Sequence, residues 1–278
     1  MHALKSLRRS RRLAVVTAIL VILTAAAVAY AAGPAIQTTT PVHADDVTNL
    51  DVLRQQLRNY YGDPLGTGTF APDSNYAKEA AGVAATGTAF LGTRGNMLLV
   101  PGRKAIVLDV DDTTLTTWNY EIFSNWAFNP ATNATYVTGQ LFPATPGMVQ
   151  MAWYAKTHGY AIFWITGRPA TQEAATLGNL TSDGIGVDAG YPTPTQLWDG
   201  EDGLFTKPTP ANYPQWLLDG GCVTTSSCPT VVYKSATRAH IEALGYHIVA
   251  NFGDQFSDLI GGHADQTFKM PNPNYFLP

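Results

Sequence analysis

The sequence predicts an α/β fold, a doubly wound and mostly parallel sheet, on two observations. Short apolar runs alternate with segments of helical periodicity between residues 104 and 253. Several of those runs also stop at polar residues, at the strand ends where open α/β sheets place their ligands. A length of 278 residues is enough for one large domain with an ample core.

The amino-terminal stretch reads as an export segment. Lys5, Arg8, Arg9, Arg11 and Arg12 precede an apolar or small-residue run from Leu13 to Ala32, and Ala29-Tyr30-Ala31 fits a cleavage signal. Residues 1–32 are therefore expected to be a signal peptide, with an uncleaved signal anchor as the alternative, since the run is long enough to span a bilayer. A membrane partner is expected only in that anchored case. Without the five basic residues, 12 basic face 21 acidic ones, so the mature chain is acidic and unsuited to binding a nucleic-acid polymer. Residues 33–45 read as a linker, and residues 46–278 as the folded domain.

Asn49 to Tyr60 is expected to be a helix, with Leu50, Val52, Leu53 and Leu57 as its apolar stripe and Gly62-Asp63-Pro64 as its stop. A second helix is expected from Ser74 to Phe90, capped by Asp73 or Ser74. Ala105 to Leu108 reads as a buried strand. Residues 116–143 are aromatic and irregular and are read as a small cap-like insertion, its rings divided between core and a lid over a substrate. Pro146-Gly147 opens a helix with Val149, Ala152 and Trp153 on one face. Tyr160 to Ile165 is a second strand, followed by a helix from Thr171 to Leu180. Residues 184–230 give no clear pattern. Val231 to Tyr233 reads as a short strand leading into Lys234, with Ser235 capping the next helix, and His247 to Phe252 as a further strand. Cys222 and Cys228 lie close together in a polar stretch. Outside the cytosol such a pair forms a local disulfide, and no further Cys or nearby His supports a metal site instead.

The strand ends carry the chemistry. Asp109 and Asp111 are two apart, so on an extended backbone both carboxylates face one side. Paired acids there are costly unless a cation or a proton offsets them. Phosphoryl transfer uses both, one attacking phosphorus and the other handling the proton. A calcium loop also begins Asp-x-Asp, but Thr114 and Tyr120 stand where it needs Gly and Glu. Thr166, Lys234, and Asp254 with Asp258 follow other predicted strands. Each has a plainer reading, as a turn residue, a surface charge and a helix cap. Their joint occurrence favours a site for a metal and a phosphate.

These motifs resemble those of the haloacid-dehalogenase superfamily of aspartate-nucleophile phosphatases. Asp109-x-Asp111-x-Thr113 is similar to its first motif, Thr166 to its second, Lys234 to its third and Gly253-Asp254-x-x-x-Asp258 to its fourth. Ile165-Thr166-Gly167-Arg168-Pro169 and Tyr233-Lys234-Ser235-x-Thr237-Arg238 resemble more narrowly subfamily IIIB, the exported acid phosphatases that include class C acid phosphatases and plant vegetative storage proteins. The resemblance implies a Rossmann-like core. It implies Asp109 as nucleophile and Asp111 as the acid that protonates the leaving alcohol and then accepts a proton from water. It implies Mg2+ held by Asp109, Asp254 and the backbone carbonyl of Asp111. Thr166 and Gly167 would donate to a phosphate oxygen, Lys234 would neutralise the transferring group, and Asp258 would hold Lys234 or a metal-bound water. Thr113 would brace the turn, and Arg168 is given no catalytic role.

The implied function is an exported, Mg2+-dependent phosphomonoesterase acting on a small phosphate monoester through an aspartyl-phosphate. Two alternatives stand beside it. One is a phosphotransferase using the same intermediate. The other is a non-catalytic storage or binding protein on the same scaffold, which the intact Asp109 and Asp111 disfavour.

Overall fold

The computed structural model describes residues 40–94, 102–181, 185–198 and 200–277. The export segment and the first part of the linker lie outside them. Among the described residues no helix is long and apolar enough to cross a membrane.

Five parallel strands form the sheet: β1 (Arg103–Leu108), β2 (Ala161–Pro169), β3 (Leu204–Lys207), β4 (Tyr246–Gly253) and β5 (Gln266–Lys269), in the order β3-β2-β1-β4-β5. β1 is central because it is apolar on both faces. Ile106 and Leu108 join one core, Ala105 and Val107 the other, and all four are buried. On the first face lie α1 (Leu50–Tyr61), α2 (Asn75–Arg94) and α5 (Met148–Thr157). On the second lie α7 (Gln215–Asp219) and α8 (Thr230–Ala243). Two short helices after β1, α3 (Trp118–Ser124) and α4 (Pro130–Thr138), make up the aromatic insertion. α6 (Glu173–Leu180) follows β2, and α9 (Phe256–Leu259) follows β4. The doubly wound parallel sheet is the predicted fold.

Several local expectations are corrected. Val231 to Tyr233 is no strand: it is the first turn of α8, where Tyr233 N–H donates to the Pro229 carbonyl at 2.9 Å. Two β-branched residues favour a strand locally, but Tyr233, Ala236, Thr237 and Ile241 recur at helical spacing and are buried, and that burial decides. Ser235 therefore lies inside α8 rather than capping it, and its hydroxyl donates to the Gly261 carbonyl at 2.8 Å. The strand of this region is β3, four residues in the stretch that gave no pattern. β5 was also missed, being short with three of its four residues exposed.

The first helix forms where expected but buries less than its stripe implied. Leu57 and Tyr60 pack on the core, while Leu50, Val52 and Leu53 stay exposed. It rests on the body through its last turn, where Tyr61 stacks on Trp118 at 4.0 Å. On α5 the buried face is Met148, Met151, Ala152 and Ala155. Trp153 lies outside it, its indole N–H donating to the Gly190 carbonyl at 2.8 Å. Ser74 does cap α2, its hydroxyl accepting from Ala77 N–H at 3.2 Å. Cys222 and Cys228 form the expected disulfide.

Candidate active site

The chain turns sharply beyond β1. Asp109 N–H still donates to the Phe252 carbonyl at 3.0 Å, which extends the ladder one residue and seats Asp109 beside the end of β4. The Thr114 and Leu115 amides then both donate to the Val110 carbonyl, at 2.9 and 2.8 Å. Asp112 takes φ of 51°, a left-handed conformation that Asp tolerates. Its buried carboxylate accepts the amide and hydroxyl of Thr117, at 3.0 and 2.5 Å. The hydroxyl that braces this turn belongs to Thr114, which donates to the Asp109 carbonyl at 2.9 Å. Thr113, expected in that role, instead directs its hydroxyl to Asp254 Oδ1 at 3.3 Å.

Lys234 is the hub of the site. Its position on the second turn of α8, behind the ends of β1 and β4, lets the Nζ bond both Asp109 Oδ1 and Asp258 Oδ1, the latter at 2.5 Å. All three side chains are buried. Desolvation pulls the ammonium down, but the two carboxylates outweigh it and hold Lys234 above its ordinary value. Asp258 serves twice, because its Oδ2 accepts the Gln255 amide at 2.8 Å and so also caps α9. Gly253 must be glycine: a Cβ there would lie 2.3 Å from the Asp258 Cβ. Arg238 anchors the loop behind Asp258, donating to the carbonyls of Asp258 at 2.6 Å, Ile260 at 2.5 Å and Gly262 at 2.9 Å.

Carboxylate oxygens of Asp109, Asp254 and Asp258 lie within 4.8 Å of one another, all buried. One ammonium cannot neutralise three carboxylates, and hard oxygen donors suit a divalent cation such as Mg2+. Asp254 is aimed by its neighbours: Gln255 Nε2 and Asn272 Nδ2 donate to its Oδ2 at 2.6 and 2.7 Å. Burial first, then Asp258 and Asp112, push its carboxyl up to about 7. Asp112 is likewise pushed up to about 7, chiefly by burial.

Asp111 points to the other side of the site, into the fork of Arg168. The Arg168 Nε lies 3.0 Å from Asp111 Oδ2 and the Nη2 2.7 Å from Oδ1, a two-pronged ion pair. The sequence assigned Arg168 no catalytic role, although its place at the end of β2 was a signal. Thr166 has no exposed surface and lies beneath the cavity rather than on its wall. Its hydroxyl accepts the Arg168 amide at 3.1 Å, leaving its own proton free to donate. Gly167 does line the cavity.

The cavity above these groups has a volume of about 780 Å³ and is lined by Asp109, Asp111, Asp254, Asp258, Arg168 and Lys234 at its polar end. Tyr120, Glu121, Trp126 and Phe128 of the insertion form another wall, and the carboxy-terminal residues Asn274 to Leu277 a third. Asn274 ties these walls together, accepting from Trp126 Nε1 at 3.2 Å and donating to Tyr61 Oη at 2.9 Å. The expected lid is thus divided. Trp118 is core and bonds Asp63, whereas Trp126 and Phe128 face the cavity. Asn272 and the carboxy-terminal wall carry no motif, and nothing in the sequence pointed to them.

The comparisons with known proteins agree with this architecture. A family model described as HAD superfamily, subfamily IIIB (Acid phosphatase) matches residues 22–278. The chain is 29% identical over 185 residues to the Stem 28 kDa glycoprotein of Glycine max, covering 65% of this chain and 63% of that protein. Vegetative storage protein 2 of Arabidopsis thaliana is 25% identical over 242 residues, covering 85% of this chain and 78% of its own. Acid phosphatase 1 of Solanum lycopersicum is 26% identical over 185 residues, or 63% and 60% of the two chains. The match to the Glycine max protein thus spans less than two thirds of its length. Among solved structures, the class C acid phosphatase from Bacillus anthracis with tungstate bound shares the fold, with a TM-score of 0.56 and 18% identity over 80% of this chain and 85% of that one. With the family model matched across nearly all of the folded sequence, the chain belongs to the haloacid-dehalogenase (HAD) superfamily, subfamily IIIB.

Proposed function

We propose that the chain is an exported, Mg2+-dependent phosphomonoesterase that works through an aspartyl-phosphate on Asp109. The observation that carries the reading is the buried carboxylate of Asp109, paired to Lys234 and opening onto a cavity beside a second carboxylate, Asp111.

Asp109 Oδ attacks phosphorus and the bond to the leaving oxygen breaks. Asp111 donates the proton that oxygen needs, so the alcohol departs neutral. Water then attacks the aspartyl-phosphate. Asp111 takes its proton, and inorganic phosphate leaves with Asp109 restored. For the first step Asp111 must be protonated, yet in the free site both of its carboxyl oxygens are engaged by the Arg168 fork. A phosphate oxygen is the competing partner for that guanidinium, so substrate can draw Arg168 away and open Asp111 to the leaving oxygen. Lys234, the Thr166 hydroxyl and the Gly167 amide neutralise charge on the transferring group. Asp109, Asp254 and the backbone carbonyl of Asp111 would hold Mg2+, with Asp258 close enough to orient its water. The ion would offset the repulsion between an anionic nucleophile and an anionic phosphate. Export is supported by the basic and apolar amino terminus and by the disulfide.

The test is phosphate release from para-nitrophenyl phosphate by the purified protein, with Mg2+ and after EDTA. Turnover that is lost in EDTA and restored by Mg2+ is expected. Turnover indifferent to chelation would remove the metal from the scheme, and none at any pH from folded protein would remove the hydrolase.

The elevated carboxyls predict a pH effect on stability as well. In metal-free protein Asp254 and Asp112 titrate near 7 when folded, against an ordinary value of 3.8. Between those values the folded chain binds more protons than the unfolded one, so stability falls as pH rises. The contribution is full below about pH 4 and gone above about pH 7. The Tm in EDTA should fall on the order of 10–20 °C from pH 5 to 7.5, at about 2–4 °C per kcal/mol. The Mg2+-induced rise in Tm should be larger at 7.5 than at 5. A flat EDTA profile with a constant Mg2+ shift would contradict the assignment.

A further inference from the structure

Glu121 is a buried acid that the phosphoryl chemistry does not use. It is on α3 and only 8% exposed, yet it faces the cavity. The other buried or half-buried acids here all have partners: Lys234 for Asp109 and Asp258, Arg168 for Asp111, Thr117 for Asp112, Gln255 and Asn272 for Asp254. The Glu121 carboxylate receives no hydrogen bond or ion pair from any described residue. A desolvated carboxylate with no partner is costly, and a ligand that supplies the missing cation removes the cost.

The walls beside it are aromatic. Tyr120, Trp126, Phe128, Tyr275 and Phe276 line the same cavity. The polar ends of the first two are already satisfied. Trp126 donates its indole N–H to Asn274, and the Tyr120 hydroxyl donates to the Asn129 carbonyl at 3.0 Å and accepts the Asn129 amide at 2.9 Å. Trp126 is partly exposed and so leaves ring surface for a ligand, whereas Tyr120 is 1% exposed and serves to support that wall. Ring faces grouped with one unpaired carboxylate are the chemistry that recognises an ammonium group. The cation among the lining residues outside the phosphate machinery, Lys207, turns its Nζ to the Cys228 carbonyl.

We propose that Glu121 and the surrounding rings form a subsite for a cationic leaving group, so that the preferred substrates are phosphate monoesters of amino or quaternary ammonium alcohols. The inference rests on the phosphomonoesterase reading and deepens it. The reaction is the same hydrolysis: the ester P–O bond breaks, water supplies the new P–O bond, and the aminoalcohol leaves with the proton from Asp111. Burial, and then the charge of Asp111, push the Glu121 carboxyl up to about 7, so the free site resists holding a bare anion. A bound ammonium would keep it ionised.

The experiment compares kcat/KM for phosphocholine with that for 3,3-dimethylbutyl phosphate, its uncharged carbon isostere. Para-nitrophenyl phosphate is run alongside. The unaltered protein should favour phosphocholine at least about 10-fold, and Glu121→Gln should bring the ratio to roughly one to three. Trp126→Leu, which keeps the carboxylate and removes a ring, should lower the ratio too. Equal rates on the two esters in the unaltered protein would overturn the subsite. So would a Glu121→Gln variant that slows both esters alike, since that is the behaviour of a structural or proton-relay group. If para-nitrophenyl phosphate is hydrolysed and phosphocholine is not preferred, this inference alone fails. If no ester is hydrolysed, the phosphomonoesterase reading fails with it.

Discussion

Asp109→Asn should lower phosphate release by roughly four orders of magnitude or more while leaving the fold intact. The amide has the shape of the carboxylate but no anionic oxygen to attack phosphorus, so no aspartyl-phosphate forms. Intact-mass analysis after an acid quench should show a phosphorylated species with the parent protein and none with the variant. The stability effect has the opposite sign. Asp109 is one of three clustered buried carboxylates, two of which Lys234 bonds, and removing one charge relieves repulsion while Lys234 keeps Asp258 as partner. The variant should therefore melt no lower than the parent in EDTA, and respond less to Mg2+. Turnover within ten-fold of the parent would show that another group is the nucleophile.

The second large effect is expected from Lys234→Met, which keeps the length of the side chain and removes its charge. Two consequences follow from its double contact with Asp109 and Asp258. Catalysis loses a buried cation at the transferring group, worth about 10²–10³-fold in kcat by analogy with the loss of one preorganised donor. The metal-free protein also loses the counter-charge of two buried carboxylates, and breaking such a pair costs about 3–5 kcal/mol. Urea unfolding with and without Mg2+ separates the two. Stability should recover in part with the ion, because it supplies positive charge to the same acids, whereas kcat should not return. If the variant is as stable as the parent in EDTA, the carboxylates there are not the charged groups that Lys234 neutralises.

The parts of the site that were legible early are those held by short spacings. Asp109 and Asp111 declare themselves because an apolar run stops at two acids with a single residue between them. Gly253-Asp254-x-x-x-Asp258 does so for the same reason, the glycine being forced by the Asp258 Cβ. Misreadings came where local preference and tertiary burial disagree. Val231-Val232 looks like a strand until Tyr233, Ala236 and Ile241 bury themselves at helical intervals. The bracing role expected of Thr113 falls to Thr114 because adjacent hydroxyls in a turn differ only in direction, which the turn's own hydrogen bonds set.

The sequence by itself determined the fold class, a buried strand at Ala105 to Leu108, the acids at its end and the family that the chain resembles. All of these follow from residue type and from spacing along the chain. Only the tertiary structure decided which charges meet. Arg168 and Asp111 are paired across 57 residues, Lys234 and Asp109 across 125, and Asn272 reaches Asp254 from beyond the last strand. It also decided which rings are core and which are cavity wall, a choice that composition leaves open because both places favour large apolar faces. The physical reason is common to both. A parallel sheet gathers side chains from distant segments at one edge, and strand order and helix placement, rather than any local pattern, choose their partners.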